Sequence, residues 1–195
     1  MEMAMNAPHQ DWTGPEPFKL RVSDFEMLDK AGVFEGRHKV ELIGGMLVAM
    51  NAEYRLHSVA KNRVIRLLQR ALEQMGSELE ALAEISVKID DESLPQPDGA
   101  VARVSVDRRY FDPQDIAIAI EVSDRSTRSD MAKKTVLYAE AGIPELWIVD
   151  LRSTQLHQFW FVRDGAYRET NASFLLGELS SATVPGLQID GSGIL

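Results

Sequence analysis

Three side chains in the second half of the chain have the types and spacing to do chemistry together. Glu121 lies near the end of Ile116-Ala-Ile-Ala-Ile-Glu-Val-Ser123, a run with apolar groups on both faces, as in a strand covered on both sides. Strand alternation places Glu121 on the face of Ala117 and Ala119, where a charged carboxylate is costly unless a metal ion, a lysine or solvent compensates it. Asp98 follows Pro97 at the start of another strand, after the polar loop Asp90 to Gln96. Two acids on neighbouring strands supply the oxygen ligands that magnesium and manganese take. Lys134 stands four residues after Asp130 and continues into Leu137, Tyr138 and Ala141, the apolar side of a helix. Its stem is therefore expected against the sheet, with a carboxylate or anion waiting for its head group. Each residue also has a plainer reading. Glu121 could mark the strand emerging into water, Pro97-Asp98 a turn, and Asp130 with Lys134 a weak surface pair one helical turn apart.

These residues need elements to hold them. The periodicity predicts a long helix over residues 54–75, with Ala60, Val64, Leu68 and Leu72 on its apolar face and Gly76 as its stop. His57 falls inside that apolar sector, either aimed at the site region or packed as a core histidine. Ser23 with Glu26 has the spacing of a capping box, for a short helix ending at Gly32. Val40 to Ile43 and Met46 to Met50 flank Gly44-Gly45 and read as a β-hairpin. Glu84 to Ile89 alternates as a half-buried strand does. A helix is predicted from about Ser129 to Ala141, then strands at Leu146–Val149, Leu156–Val162 and near Tyr167. The tail from Ala172 is weakly patterned. Residues 1–17 read as a flexible N-terminal segment, and 18–195 as a single domain of the mixed α/β class.

Composition narrows the chemistry. The 195 residues carry 30 acidic and 21 basic side chains, a formal net charge of −9, and no cysteine. Thiolate zinc sites and cysteine nucleophiles are excluded, and His9, His38 and His157 have no partners at zinc-ligand spacing. The acidity argues against indiscriminate coating of nucleic acid. Local basic groups exist, in the helix stripe Arg55, Arg63, Arg66 and Arg70 and in Arg103, Arg108, Arg109, Arg125 and Arg128, although a solvated face is the commoner fate of such arginines. No run has the length of a membrane span and the N-terminus lacks a signal pattern, so a cytoplasmic protein without membrane contact is expected.

Taken together, Pro97-Asp98, Glu121-Val122-Ser123 and Asp130-x-x-x-Lys134-x-x-x-Tyr138-Ala-Glu-Ala-Gly-Ile-Pro-Glu-Leu-Trp147-Ile-Val-Asp150 resemble the Uma-two family of bacterial proteins. That family is assigned to the PD-(D/E)xK, restriction-endonuclease-like superfamily. The resemblance extends upstream through Val40-Glu41-Leu42-Ile43-Gly44-Gly45 and His57, covering roughly residues 20–165. It implies a restriction-endonuclease-like fold, a mixed β-sheet core flanked by helices with an N-terminal helix and β-hairpin. It also implies a Mg2+- or Mn2+-dependent endonuclease-like hydrolase of phosphodiester bonds, with DNA as the first candidate partner. By matching position, Asp98, Glu121 and Glu41 are the implied metal-binding acids, with His57 and Asp130 as accessory candidates. The superfamily pattern puts lysine two residues after Glu121, where this chain has Ser123, so the resemblance implies a lysine migrated to the following helix, Lys134 first and Lys133 as the weaker candidate. Gly44, and Met50-Asn51-Ala52-Glu53, also depart from the family pattern. The rival functions are a catalytically silent nuclease-fold module and a carboxylate-pair hydrolase of another substrate. A homodimer is expected only in that a nuclease with a single site needs two copies to cut both strands.

Overall fold

The computed structural model describes residues 16–37, 39–50, 54–124 and 128–195, with side chains 128–130 left out. Most of the N-terminal segment read as flexible therefore lies outside the described residues. A six-stranded sheet forms the centre, in the order β3 (Leu79–Ala83), β4 (Gly99–Arg103), β5 (Ile116–Ser123), β6 (Glu145–Asp150), β7 (Gln155–Arg163) and β8 (Ala166–Phe174). Only β5 and β6 run parallel, and helix α3 (Arg128–Glu140) is the crossover that such a pair requires. Ahead of the sheet in sequence come α1 (Val22–Lys30), the hairpin β1 (Lys39–Ile43) and β2 (Met46–Met50), and α2 (Arg55–Gln74). A second hairpin, β9 (Glu178–Ser180) with β10 (Gln188–Asp190), follows β8. Among the described residues no helix is long and apolar enough to cross a membrane.

The two faces of β5 explain its composition. Ile118, Ile120 and Val122 meet Val64, Leu68 and Leu72 of α2 on one side. Ala119 lies on the other, with Tyr138, Ile143, Leu146 and Ile148. Each fully buried Leu or Val side chain contributes about 1.5–3 kcal/mol, so the amphipathic stripe of α2 accounts for its docking. Leu56 and Met75, near the two ends of the helix, are exposed. The β1–β2 turn uses Gly44 (φ 56°) and Gly45 (φ 79°), the paired left-handed conformations of a two-residue hairpin loop. A side chain at Gly45 would also collide with Lys19.

Three expectations are corrected. The α1 cap lies two residues earlier than the Ser23–Glu26 pattern, because Asp24 accepts the Arg21 N–H at 2.8 Å. The strand expected over 84–89 is instead β3, at 79–83. Glu84 adopts φ 52°, which breaks the strand, and the segment beyond it makes local bonds, Val87 N–H to Pro95 O and Ile89 N–H to Ser93 O, and an isolated parallel bridge to Phe111. The weakly patterned tail supplies Leu175, Leu179, Leu187, Ile189 and Ile194 to the core on the α2 side.

That tail is held by one buried carboxylate. Glu145 on β6 accepts from Trp147 Nε1 (2.6 Å), Ser181 Oγ (2.6 Å), Thr183 Oγ1 (2.7 Å) and the Thr183 N–H (3.0 Å), and shares the Ala182 N–H. Its charge is satisfied by neutral donors alone. In Glu145→Gln the amide nitrogen would face donors, so a loss of about 2 kcal/mol is expected. Hydrogen exchange should then speed up at Ala182 and Thr183 far more than in β5.

Candidate active site

Asp98 and Glu121 adjoin because of sheet register. Gly99 on β4 pairs with Ile120 on β5, so Asp98 and Glu121 stand one step further along the same two chains. The Val122 N–H donates to Asp98 Oδ2 at 2.8 Å. His57, from the first turns of α2, places Nε2 at 2.8 Å from Val122 O and 3.2 Å from Asp98 Oδ2. Both partners are acceptors, so Nε2 carries the hydrogen and holds the carboxylate in place. His57 is thereby brought to the site.

Glu121 faces α3. Lys134 Nζ donates to both of its oxygens, at 2.9 and 3.0 Å, and Tyr138 Oη donates to Oε1 at 2.7 Å. Lys134 and Tyr138 are one helical turn apart, which presents both to the same carboxylate. The third acid, Glu41, comes from β1. Its Oε1 accepts the Gln96 N–H at 3.0 Å and lies 3.5 Å from Lys134 Nζ. Glu41, Asp98 and Glu121 are each at most 6% exposed. Lys133 is exposed, Ser123 is buried on β5, and the Asp130 side chain lies outside the described residues.

Lys39 belongs to the same group, although its role is not evident from the sequence motif. Two residues before Glu41 on β1, it shares that residue's face, and its Nζ stands 3.4 Å from Glu41 Oε1 and 3.6 Å from Asp98 Oδ1. The i, i+2 spacing of Lys39 and Glu41 was the available signal. For Tyr138 it was the i, i+4 spacing from Lys134.

Three carboxylates thus share two ammonium groups. Burial pulls the Lys134 pKa down, but the charges of Glu121 and Glu41 outweigh it and hold the ammonium protonated. Burial raises the Glu121 pKa, Lys134 offsets part of that, and the neighbouring Asp98 and Glu41 raise it further. Asp98 is also pushed up by burial, yet the His57 hydrogen bond, the Lys39 charge and the Val122 N–H bring it down to about 2 from 3.8. The two acids therefore act on stability in opposite directions and in different pH windows. Asp98 contributes about 2 kcal/mol to the metal-free protein above its unfolded pKa, and this is lost as pH falls from about 4 through 2. Glu121 takes up its proton more readily folded than unfolded, so its effect favours the fold as pH falls towards 4.5 from above. Asp98→Asn should flatten the chemical-denaturation stability profile below about pH 4 and narrow the Glu121 window without removing it, since burial and Glu41 still raise the Glu121 pKa.

The donor set suits a hard divalent cation. Glu41 Oε2 is buried without a hydrogen-bond partner among the described residues, and Asp98 Oδ1 lies 3.6 Å from the Lys39 ammonium, beyond hydrogen-bond reach. Both are carboxylate oxygens, the ligand type that Mg2+ and Mn2+ prefer. The acids are not drawn into a ready three-ligand cluster among the described residues, since lysine head groups stand between them.

Among the described residues, none of the arginines noted in the sequence forms an ion pair with Glu41, Asp98 or Glu121. Arg55, Arg66 and Arg70 are exposed, on the side of α2 away from the buried residues and His57. Arg103 pairs with Glu78, Arg108 with Asp112 and Asp115, and Arg109 with Glu26. The side chains of Arg125 and Arg128 lie outside the described residues.

No curated protein matches the sequence. A crystal structure described as that of "a putative nuclease belonging to DUF820" from Anabaena variabilis superposes on the chain with a TM-score of 0.67 at 12% sequence identity. The match covers 90% of this chain and 97% of that one, and at this identity it is a likeness of fold. The family described as "Uma2: Putative restriction endonuclease" matches residues 22–192, beyond the stretch in which the motifs resemble it and through the tail that completes the core. With that match spanning the hairpin of Glu41, the strands of Asp98 and Glu121 and the helix of Lys134, the chain belongs to the Uma2 family.

Proposed function

We propose that this protein is a metal-dependent nuclease that hydrolyses phosphodiester bonds in DNA, using Mg2+ or Mn2+. The observation that carries this reading is the meeting of three buried acids with one anchored lysine, Lys134, which touches both Glu121 and Glu41. Asp98 and Glu41 would hold the cation through Oδ1 and Oε2, with Glu121 beside them. When bound, such a cation supplies Lewis acidity to the phosphodiester and lowers the pKa of water.

The chain's own residues do the positioning. His57 and the Val122 N–H fix Asp98 Oδ2, leaving Oδ1 turned to the site. Lys134 and Tyr138 fix Glu121. Because the surrounding carboxylates hold Lys134 protonated, it serves as a positive charge beside the developing charge on phosphorus, and not as a base. The Family description and the nuclease fold support this assignment. The same reading has the protein act in the cytoplasm, as a homodimer where both strands of a duplex are cut.

The test is incubation of pure protein with supercoiled, linear and single-stranded DNA. Nicking or linearisation with Mg2+ or Mn2+, stopped by a chelator, is the expected result. DNA binding with no cleavage under either metal would instead identify a silent nuclease-fold module, a reading favoured by the lysines that stand between the acids.

A further inference from the structure

The two lysines of the site are held in different ways. Lys134 donates hydrogen bonds to both oxygens of Glu121. Lys39 has a buried ammonium that makes no hydrogen bond among the described residues, although an ammonium has three donors to satisfy. Only charge holds it, 3.4 Å from Glu41 and 3.6 Å from Asp98. It stands between Glu41, whose Oε2 is buried without a hydrogen-bond partner among the described residues, and Asp98, whose Oδ1 it faces. A buried cation seated between two carboxylates without hydrogen bonds occupies the place of an ion. Its stem starts at the first residue of β1, with the side chain 12% exposed, so the head group has a short route to solvent.

We propose that Lys39 is a tethered placeholder: in the metal-free protein its ammonium fills the position between Glu41 and Asp98, and a divalent cation must displace it to bind. This rests on the nuclease reading for the metal itself. It makes Lys39 a positioning residue that weakens metal binding, the opposite of what a supporting structural residue does. Two like charges a few ångströms apart in a buried site repel strongly, and removing one should strengthen binding of the other about tenfold or more. Metal loading would thus require the Lys39 head group to leave its seat.

Calorimetry with Mn2+ on wild type, Lys39→Met and Lys39→Gln tests this. Both variants are expected to bind Mn2+ at least about tenfold more tightly than wild type. Their metal-free forms should melt at lower temperature, with Mn2+ restoring more of the loss than it adds to wild type. The wild-type protein gives a second readout that needs no variant to fold. Reductive methylation followed by mass spectrometry should leave Lys39 protected without metal and label it with saturating Mn2+, while Lys134 stays protected throughout. Unchanged or weaker Mn2+ binding in the variants, or a Lys39 that stays protected with Mn2+ bound, overturns the proposal. DNA cleavage measured in parallel separates the two readings. Tighter Mn2+ binding without cleavage by any of the proteins supports the placeholder and sinks the nuclease. Normal cleavage with unchanged affinity does the reverse, and no Mn2+ binding by any protein overturns both.

Discussion

Glu121→Gln should lower the rate of metal-dependent DNA cleavage by about a thousandfold while leaving the protein folded. The substitution keeps the shape of the side chain and one oxygen to accept from Tyr138 and Lys134, while the charge is removed and an amide nitrogen replaces the second oxygen facing Lys134. Burial raises the Glu121 pKa, which lightens the cost of losing the ionised form, and the expected loss of stability is about 1–3 kcal/mol, from the donor left facing Lys134. The effect on cleavage is large because the carboxylate lies where cation and phosphate charge must be balanced. Single-turnover cleavage of supercoiled plasmid, Mn2+ calorimetry and a thermal melt measure the three consequences separately. Asp98→Asn should behave alike in cleavage. Cleavage that survives both substitutions would come from a contaminant and would place the site elsewhere.

Lys134→Met should destabilise the protein by about 3–5 kcal/mol and abolish cleavage. Methionine retains the packing of the stem, so the loss isolates the ammonium. Without it, among the described residues, Glu121 keeps the neutral donor Tyr138 and Glu41 keeps the Lys39 charge and the Gln96 N–H, both acids being buried. The loss should depend on pH with a definite sign. Glu121 without Lys134 has its pKa raised still further, so the folded variant gains stability relative to wild type as pH is lowered from about 8 to 5. Urea melts across that range measure the trend. A pH-independent loss would mean that Lys134 contributes through packing. Lys134→Arg is not a conservative control, because a planar guanidinium cannot reproduce a point charge shared between Glu121 and Glu41.

Much of this site was legible in the sequence because its acids break local rules. Glu121 interrupts an otherwise apolar central strand, and Lys134 lies on the helix face that carries Tyr138. Such conflicts between residue type and position mark sites, and here both partners of the conflict meet in space. The central strand, both long helices and the first hairpin were likewise readable, since periodicity, Gly44-Gly45 and Gly76 report on local geometry. What was not readable depended on distant contacts. Nothing near Lys39 shows that Asp98 will stand beside it, because that proximity is created by pairing the hairpin with the segment that leads into β4, through Leu94 N–H to Leu42 O. The tail looked unpatterned because its strands have three residues each, and its leucines are buried by a fold built elsewhere in the chain. Glu145 was passed over for a similar reason. Its donors come from residues 147, 158 and 181–183, and only the assembled fold collects them.

The single parallel register between β5 and β6 has a consequence for how activity arises during folding. An antiparallel pair can close through a short turn, but these strands cannot pair until the chain between them has crossed over the sheet. That crossing segment is α3, which carries Lys134 and Tyr138. Closing the middle of the sheet and delivering the cation to Glu121 are therefore one event. A partly folded chain lacking it has an unfinished sheet and an uncompensated acid together, so the site forms in the same cooperative step that completes the core.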